Sequence, residues 1–453
     1  MKHLFLIRHA KSSWKDQHLK DRERPLNARG ESQVASLARA IVHTGALGGH
    51  IYCSEALRAR STLEGIIPAE FPENRVHVTA DLYTFDYTRL LDWLEALPED
   101  EDTVALIGHN PALLELAHHL LKHPPSELPT ASILCIRLPD KPWHKLMTGK
   151  GKGRLEAFLT PRDYSYEQFA RKQKKRAATS GKAPGADIPK SLAHQVKRMK
   201  ELEPGVRTDL DAEFLHQFRI ATRRSRAVAD SVRKVTGDSA LDSPLRQIKQ
   251  HAGATSRLRD LHVFIHDLDA LCGENFELNA ALETWAQSEA RREHLVLVEH
   301  LDSKRYRQFL QDWEDRIQGS ALRKLVGKLE PKDIAHVVET QVRKFNRRTA
   351  ELLHDSPDED LHSLRKQLKR IRYLMELDAD SWRDALKSLK FRQELYGRFQ
   401  DLHVQIGLVE QFRREAPGIL PAATEDLLRQ LSQEKNEVRR QILSLGGLNL
   451  AQG

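Results

Sequence analysis

The sequence predicts an α/β domain followed by an all-α domain, and three features of its texture say so. Up to Asp163, short apolar runs alternate with amphipathic stretches, the pattern of strands interleaved with helices. From Ile188 on, Pro and Gly thin out while Arg, Leu, Glu, Lys, Gln and Ala recur with a period of about 3.6, so that part should be helical throughout. Between them, residues 170–187 read ARKQKKRAATSGKAPGAD, a basic run with Ser, Gly and Pro and no apolar periodicity. That is the composition of a flexible linker. The expected division is 1–163, a linker over 164–187, and a helical domain over 188–445.

In the first domain the expected strands are 4–7, 51–53, 104–107 and 133–138, with helical stretches at 32–42 and 87–97. The second domain repeats itself. LHQFR at 215–219, continuing to Arg223, Arg224 and Arg226, is echoed 146 residues later by LHSLR at 361–365, continuing to Lys369, Arg370 and Arg372. RDLHV at 259–263 recurs 141 residues later as QDLHV at 400–404. Offsets this close follow from one duplication with small insertions, so two homologous helical halves are expected.

Length and composition bound the function. A chain of 453 residues implies two to four domains at roughly 100–200 residues each. No apolar run approaches the roughly 18 residues of a membrane span, and the opening MKHLFLIRHAKSSWK has too short an apolar core for a secretion signal. Cys53, Cys135 and Cys272 are widely separated, which excludes a disulfide framework and a thiolate metal site. A cytoplasmic protein without a metal or other cofactor is expected. Residues 1–163 balance 21 basic against 21 acidic side chains, while the remainder carries 51 against 43. The whole net charge of +8 therefore lies in the second part.

Three expected strands end on chemistry. Arg8-His9 follows the first, Ser54 and then Arg58 follow the second, and Gly108-His109-Asn110-Pro111 follows the third of them in the sheet. Open α/β sheets place ligands at the carboxyl ends of their strands. Two guanidiniums offer planar donor forks for a tetrahedral dianion, and two imidazoles supply a nucleophile and a further donor. This outlines a phosphoryl-transfer site that needs no metal. Ser12 is a further hydroxyl donor to a phosphate, and Asn27 a residue that shapes the pocket.

Arg8-His9-Ala10, the run Arg24-Pro25-Leu26-Asn27-Ala28-Arg29-Gly30, Ser54 to Thr62, and Gly108-His109-Asn110-Pro111 together resemble the histidine phosphatase superfamily, in its small SixA-type branch. The resemblance implies a phosphoglycerate-mutase-like sheet with flanking helices. It also implies that His9 attacks phosphorus and becomes phosphorylated, with Arg8, Arg58 and His109 around the transferred group. Larger members carry a Glu before a Leu-Tyr pair to protonate the leaving group. Here Asp81-Leu82-Tyr83 stands in that place, so Asp81 is the expected acid. The compact domain lacks a lid insertion, which favours phosphohistidine on a protein over a sugar phosphate.

On a helix, His216, Arg219, Arg223 and Arg226 share an arc of roughly 80°, and His362, Arg365, Lys369 and Arg372 share the same arc in the second half. A stripe of one sign repels itself unless an anion neutralises it. Arg246, Lys249, Lys387 and Lys390 extend the set. The stripes and the DLHV segments resemble CHAD, a helical domain of two four-helix halves. That resemblance implies a basic groove that binds inorganic polyphosphate, and with it an association with polyphosphate granules. Two other readings compete: a phosphatase fed polyphosphate or small phosphoesters by the helical domain, and a nucleic-acid-binding module. Little aromatic clustering accompanies the stripes, which makes nucleic acid the weaker partner.

Overall fold

The computed structural model describes residues 1–171 and 188–449. Contacts divide them into two units, 1–171 with 204–214 and 188–203 with 215–449. The linker expected over 164–187 lies outside the described residues from 172 on.

The first unit is built on a six-stranded sheet of β1 (Lys2–Arg8), β2 (His50–Ser54), β3 (Val76–Thr79), β4 (Thr103–Gly108), β5 (Ile133–Leu138) and β6 (Arg154–Leu159). Their order is β3-β2-β4-β1-β5-β6; the first four run parallel, and β5 and β6 are antiparallel to their neighbours. Alternation along β1 sends Leu4 and Leu6 to one face and Phe5 and Ile7 to the other. Both faces are covered, as a mostly parallel sheet requires. Helices α1 (Ala28–Thr44) and α2 (Leu57–Ile66) pack on the Phe5 face, while α3 (Tyr87–Glu95), α4 (Ala112–Leu120) and α5 (Trp143–Met147) pack on the Leu4 face.

The first unit runs past the expected boundary at Asp163. Two short helices, α6 (Pro161–Tyr164) and α7 (Tyr166–Ala170), follow β6, and Tyr164 and Phe169 are buried. Composition suggested a linker because the basic run begins at Ala170, but the two aromatics just before it are core residues.

The second unit is helical. Its second half comprises α15 (Pro331–Ala350), α16 (Asp358–Met375), α17 (Arg383–Glu415) and α18 (Pro421–Ser444). The first half holds α8 (Ile188–Thr208), α9 (Ala212–Thr236), the pair α10 (Asp242–Ala254) and α11 (Ser256–Cys272), and α12 (Phe276–Asp302). The stripes fall on α9 and α16, and the DLHV segments on α11 and α17. Thus α10 and α11 together match the single long α17, interrupted at Thr255, whose hydroxyl donates back to the Ala252 carbonyl at 2.8 Å. Helices α13 (Lys304–Gln318) and α14 (Ser320–Val326) join the halves. Among the described residues no helix is long and apolar enough to cross a membrane.

Candidate functional site

The carboxyl ends of β1, β2 and β4 bring Arg8, His9, Ser54, Arg58 and His109 together. His9 is 6% exposed and Arg58 4%. Arg58 Nε donates to His9 Nε2 at 3.2 Å, so that nitrogen carries the lone pair. His9 Nδ1 therefore carries the proton, which it donates to the Ala10 carbonyl at 2.7 Å. By the same logic Arg58 Nη2 donates to His109 Nδ1 at 3.2 Å, and His109 Nε2 donates to the Ser54 hydroxyl at 2.7 Å. The two rings lie 5.0 Å apart between centroids.

Electrostatics keep both rings neutral. Burial pushes His9 down to about 4; Arg58 and Arg8 add to this, while the Ala10 carbonyl and Asp21 oppose it. His109 falls to about 2 through burial, with His9 and Arg58 contributing. Arg8 is itself lowered, by burial and then by repulsion from Arg58. Its Nη1 donates to the Leu128 carbonyl at 2.8 Å, and its buried Nε has no hydrogen-bond partner among the described residues. A donor left in that state is suited to an incoming oxyanion.

The loop after β1 is held from several sides. Thr62 Oγ1 accepts from the Ala10 amide at 3.0 Å and donates to the Arg58 carbonyl at 2.7 Å, tying the loop that follows His9 to the helix that supplies Arg58. Gly30 leaves room for this loop, because a Cβ there would lie 2.2 Å from the Lys11 carbonyl oxygen. The Ala131 amide donates to the carbonyls of Arg8 at 3.0 Å and His9 at 3.1 Å, and the Tyr164 phenol donates to the Ala131 carbonyl at 2.5 Å. A residue beyond the expected domain boundary thus braces the loop that carries His9.

In the second unit Arg223 and Arg226 of α9 and Lys369 of α16 face a common space. Arg223 of α9 acts electrostatically on Arg365 and Lys369 of α16. A cavity of about 170 Å³ is lined by Arg223, Arg226, Asp230, Lys366, Lys369 and Arg370. Burial pushes Lys369 down to about 7, with Arg365, Arg223 and Arg372 adding to the effect and Asp401 opposing it. Arg219 Nη1 donates to Thr255 Oγ1 at 2.7 Å and Ser256 Oγ at 3.1 Å, and Arg372 Nε pairs with Glu376 at 3.0 Å. His362 Nδ1 bonds Gln400 Oε1. Asp260 and Asp401, the acids of the two DLHV segments, are raised by desolvation, with Asp401 adding to the effect at Asp260 and Asp267 at Asp401, against the pull of Arg219 and Arg365 respectively.

Residues 4–89 match the family model of the histidine phosphatase superfamily (branch 1), and residues 190–410 match that of the CHAD domain. The chain joins a histidine phosphatase superfamily domain to a CHAD domain. An uncharacterised chloroplastic protein of Arabidopsis thaliana is 29% identical over 170 residues, which is 35% of this chain and 77% of that protein. Among solved structures, the protein histidine phosphatase SixA complexed with tungstate is 21% identical, covering 35% of this chain and 97% of that one, with a TM-score of 0.29. The CHAD domain from Ricinus communis is 21% identical, covering 61% of this chain and 96% of that one, with a TM-score of 0.46.

In the histidine phosphatase domain, the four residues expected at the centre of the site, Arg8, His9, Arg58 and His109, converge. Asp81 does not join them. It is exposed, and its carboxylate accepts from the Thr79 hydroxyl at 3.0 Å at the start of a short helical turn. Two matching letters aligned Asp81, whereas the carboxylate in contact with the cluster is Asp21. Asn27 is scaffold: Oδ1 accepts from the Gly30 amide at 3.0 Å as the N-cap of α1, and Nδ2 donates to the Ser12 carbonyl at 3.1 Å. Ser12 is buried on that same loop.

In the CHAD domain, Arg223, Arg226 and Lys369 of the stripes line one cavity, while His362 lines another with Gln400 and His403, and the outer residues differ again. Lys387 pairs with Asp384 at 3.1 Å and Lys390 with Glu394 at 3.9 Å on the exposed face of their own helix, and Arg246 and Lys249 are exposed on α10. Sequence reasoning missed Asp21, Thr62 and Tyr83 as site residues. Thr62 and Tyr83 stood inside quoted motifs, and Asp21 precedes the Arg24-Pro25 run by three residues.

Proposed function

We propose that this protein is a phosphohydrolase working through a phosphorylated His9, that its substrate is phosphohistidine on a protein, and that its CHAD domain binds inorganic polyphosphate. The observation that carries the first part is the His9 imidazole itself: neutral, tautomerically fixed by Ala10, with its Nε2 lone pair aimed at Arg58. A substrate phosphoryl group takes the guanidinium donors in place of that lone pair, with Arg8 Nε as a further donor. The Nε2–P bond then forms as the bond to the leaving group breaks, with charge spread over the equatorial oxygens and held by Arg8 and Arg58. Water hydrolyses the phosphoramidate and returns neutral His9.

A leaving imidazole suits this site, because the carboxylate beside the cluster, Asp21, is held below the ordinary carboxylate range. Burial raises it, but hydrogen bonds from Arg58 and Tyr83 outweigh that. An ionised Asp21 has no proton to give an alkoxide. The chemistry requires no metal, and among the described residues no group of three or more His, Cys, Asp or Glu side chains is placed to hold one. The CHAD part of the reading is supported by the cavity between α9 and α16, whose lining holds five basic side chains and one acid. Turnover of a phosphohistidine protein, a small phosphomonoester and long-chain polyphosphate, assayed side by side with and without polyphosphate as a ligand, tests both parts. Preference for the monoester overturns the substrate class, and absence of polyphosphate binding overturns the second part.

A further inference from the structure

Arg58 reaches the site from the first turn of α2 on a long side chain with about 2 kcal/mol of rotamer entropy to lose. Its donors are nevertheless aimed at both imidazoles. The distal edge of the guanidinium is gripped by one residue: Nη2 donates to Asp21 Oδ2 at 2.8 Å, and Nη1 donates to the Asp21 backbone carbonyl at 2.5 Å. Tyr83 donates to the same Oδ2 at 2.9 Å, and its ring stands edge-on to His109 at 5.5 Å. On the other side, Arg24 Nη1 lies 3.5 Å from Asp21 Oδ1, while the Arg24 guanidinium stacks 3.7 Å above Trp14. Asp21 is thus fixed by two side chains, Tyr83 and Arg24, and it in turn fixes Arg58.

We propose that Asp21 is a positioning residue, whose carboxylate holds the Arg58 guanidinium across His9 and His109 in the geometry that receives the phosphoryl group. The proposal rests on the phospho-His9 reading. Charge supports it. Arg8 and Arg58 both face His9 and repel each other, and Asp21 is the carboxylate that acts on His9 and His109 in the opposite sense. Without Asp21 the empty site is a cluster of two guanidiniums and two imidazoles with no counter-ion beside it. Its loss leaves Arg58 free to swing, and misplacement of about 1 Å costs on the order of a hundredfold in rate.

A direct test is Asp21→Asn in the full-length protein, with p-nitrophenyl phosphate as substrate and with the His9 imidazole ¹⁵N resonances as a second readout. Asparagine keeps the shape and removes the charge. The kcat should fall roughly tenfold to a hundredfold, while KM stays level or falls, because a carboxylate no longer repels the dianion. The acid limb of kcat/KM, set by His9 with Arg58, Arg8, His109 and Asp21 around it, should move to lower pH, since a protonated His9 has lost its nearby anion. The His9 Nε2 resonance at neutral pH should shift as its hydrogen bond from Arg58 loosens. Asp21→Ala, on the same partly exposed loop, should do the same if the Asn variant folds poorly. An unchanged kcat, or a lower one with neither the acid limb nor the Nε2 resonance moved, overturns the positioning role. Wild type that turns over neither the aryl phosphate nor a phosphohistidine protein overturns the phosphatase reading, and the Nε2 resonance then still decides whether Asp21 holds Arg58.

Discussion

Removing the Arg58 guanidinium perturbs the site in two ways that can be read separately. Arg58→Ala, with Arg58→Met as the variant that keeps the buried aliphatic volume, deletes the donor to His9 Nε2 and the donor shared between His109 and Asp21. If these donors pass to the phosphoryl oxygens in the transition state, the loss is that of a preorganised charged donor, about 3–4 kcal/mol, or roughly a hundredfold to a thousandfold in kcat. The second effect is on titration. Arg58 is one of the cations that hold His9 near 4 and His109 near 2, so its removal lets both rise toward 6.5. Protonated His9 is not a nucleophile, so the acid limb of kcat/KM should climb in pH, opposite to the shift expected for Asp21→Asn. The assay is a pH profile of kcat/KM with p-nitrophenyl phosphate for wild type and both variants, with circular dichroism to confirm folding. A kcat/KM within tenfold of wild type, or an acid limb that stays where it was, would refute the reasoning.

His9→Ala should abolish turnover, and wild type quenched during turnover should carry acid-labile phosphate on His9; acid-stable label would place the covalent step elsewhere. Activity should survive exhaustive chelation, since guanidiniums do the work that a metal clamp does at other phosphoryl-transfer sites; turnover lost in chelator and restored by a divalent ion would contradict this. Lys369, pushed down to about 7, is partly neutral when the groove is empty, and a bound polyanion raises it again. Binding then takes up a proton, so polyphosphate affinity should be highest below pH 7 and fall as pH rises past it, by at most about tenfold per pH unit for one group. Lys369→Arg should flatten that dependence, and a wild-type affinity flat from pH 6 to 8 would show that Lys369 does not contact the ligand.

The parts of the fold and site legible in the sequence were those written in local pattern. Strand ends carrying Arg8-His9, Arg58 and His109 could be found because short apolar runs mark strands and the residues just after them sit at the sheet's carboxyl edge. The stripes could be found because helical periodicity is local. What stayed hidden depended on tertiary contact. Asp21 lies in a loop between the Arg8-His9 and Arg24-Pro25 segments, in no periodic pattern, and only the fold lays it against Arg58. Asp81 was misplaced for the converse reason: a carboxylate before Leu-Tyr has the right neighbours in sequence, but the turn directs it to Thr79. Tyr164 shows the limit of composition, since it precedes a basic low-complexity run yet bonds Ala131 at the heart of the first domain. The apparent purity of the stripes was also a single-helix view. Asp260 and Asp401 arrive from α11 and α17 to act on Arg219 and Arg365.

Those acids bear on a problem both basic sites share. A cluster of cations that binds an anion must also exist without it, and like charges at close range cost free energy that only a counter-ion or water can offset. In the phosphatase domain Asp21 does this for Arg58, and in the CHAD domain Asp260 and Asp401 do it for the inner arginines of each stripe. The two solutions differ in how the carboxylate is held. Asp21 is 40% exposed and held ionised by close hydrogen bonds, so it fixes a geometry. Asp260 is half-buried and Asp401 exposed, and at both desolvation raises the carboxyl against the pull of the neighbouring arginines. A polyanion entering that groove adds negative charge beside Lys369, which burial and its cationic neighbours push down to about 7. Lys369 responds by gaining a proton, so the groove adapts its charge to its ligand, whereas the catalytic site keeps its charges fixed and asks the ligand to fit.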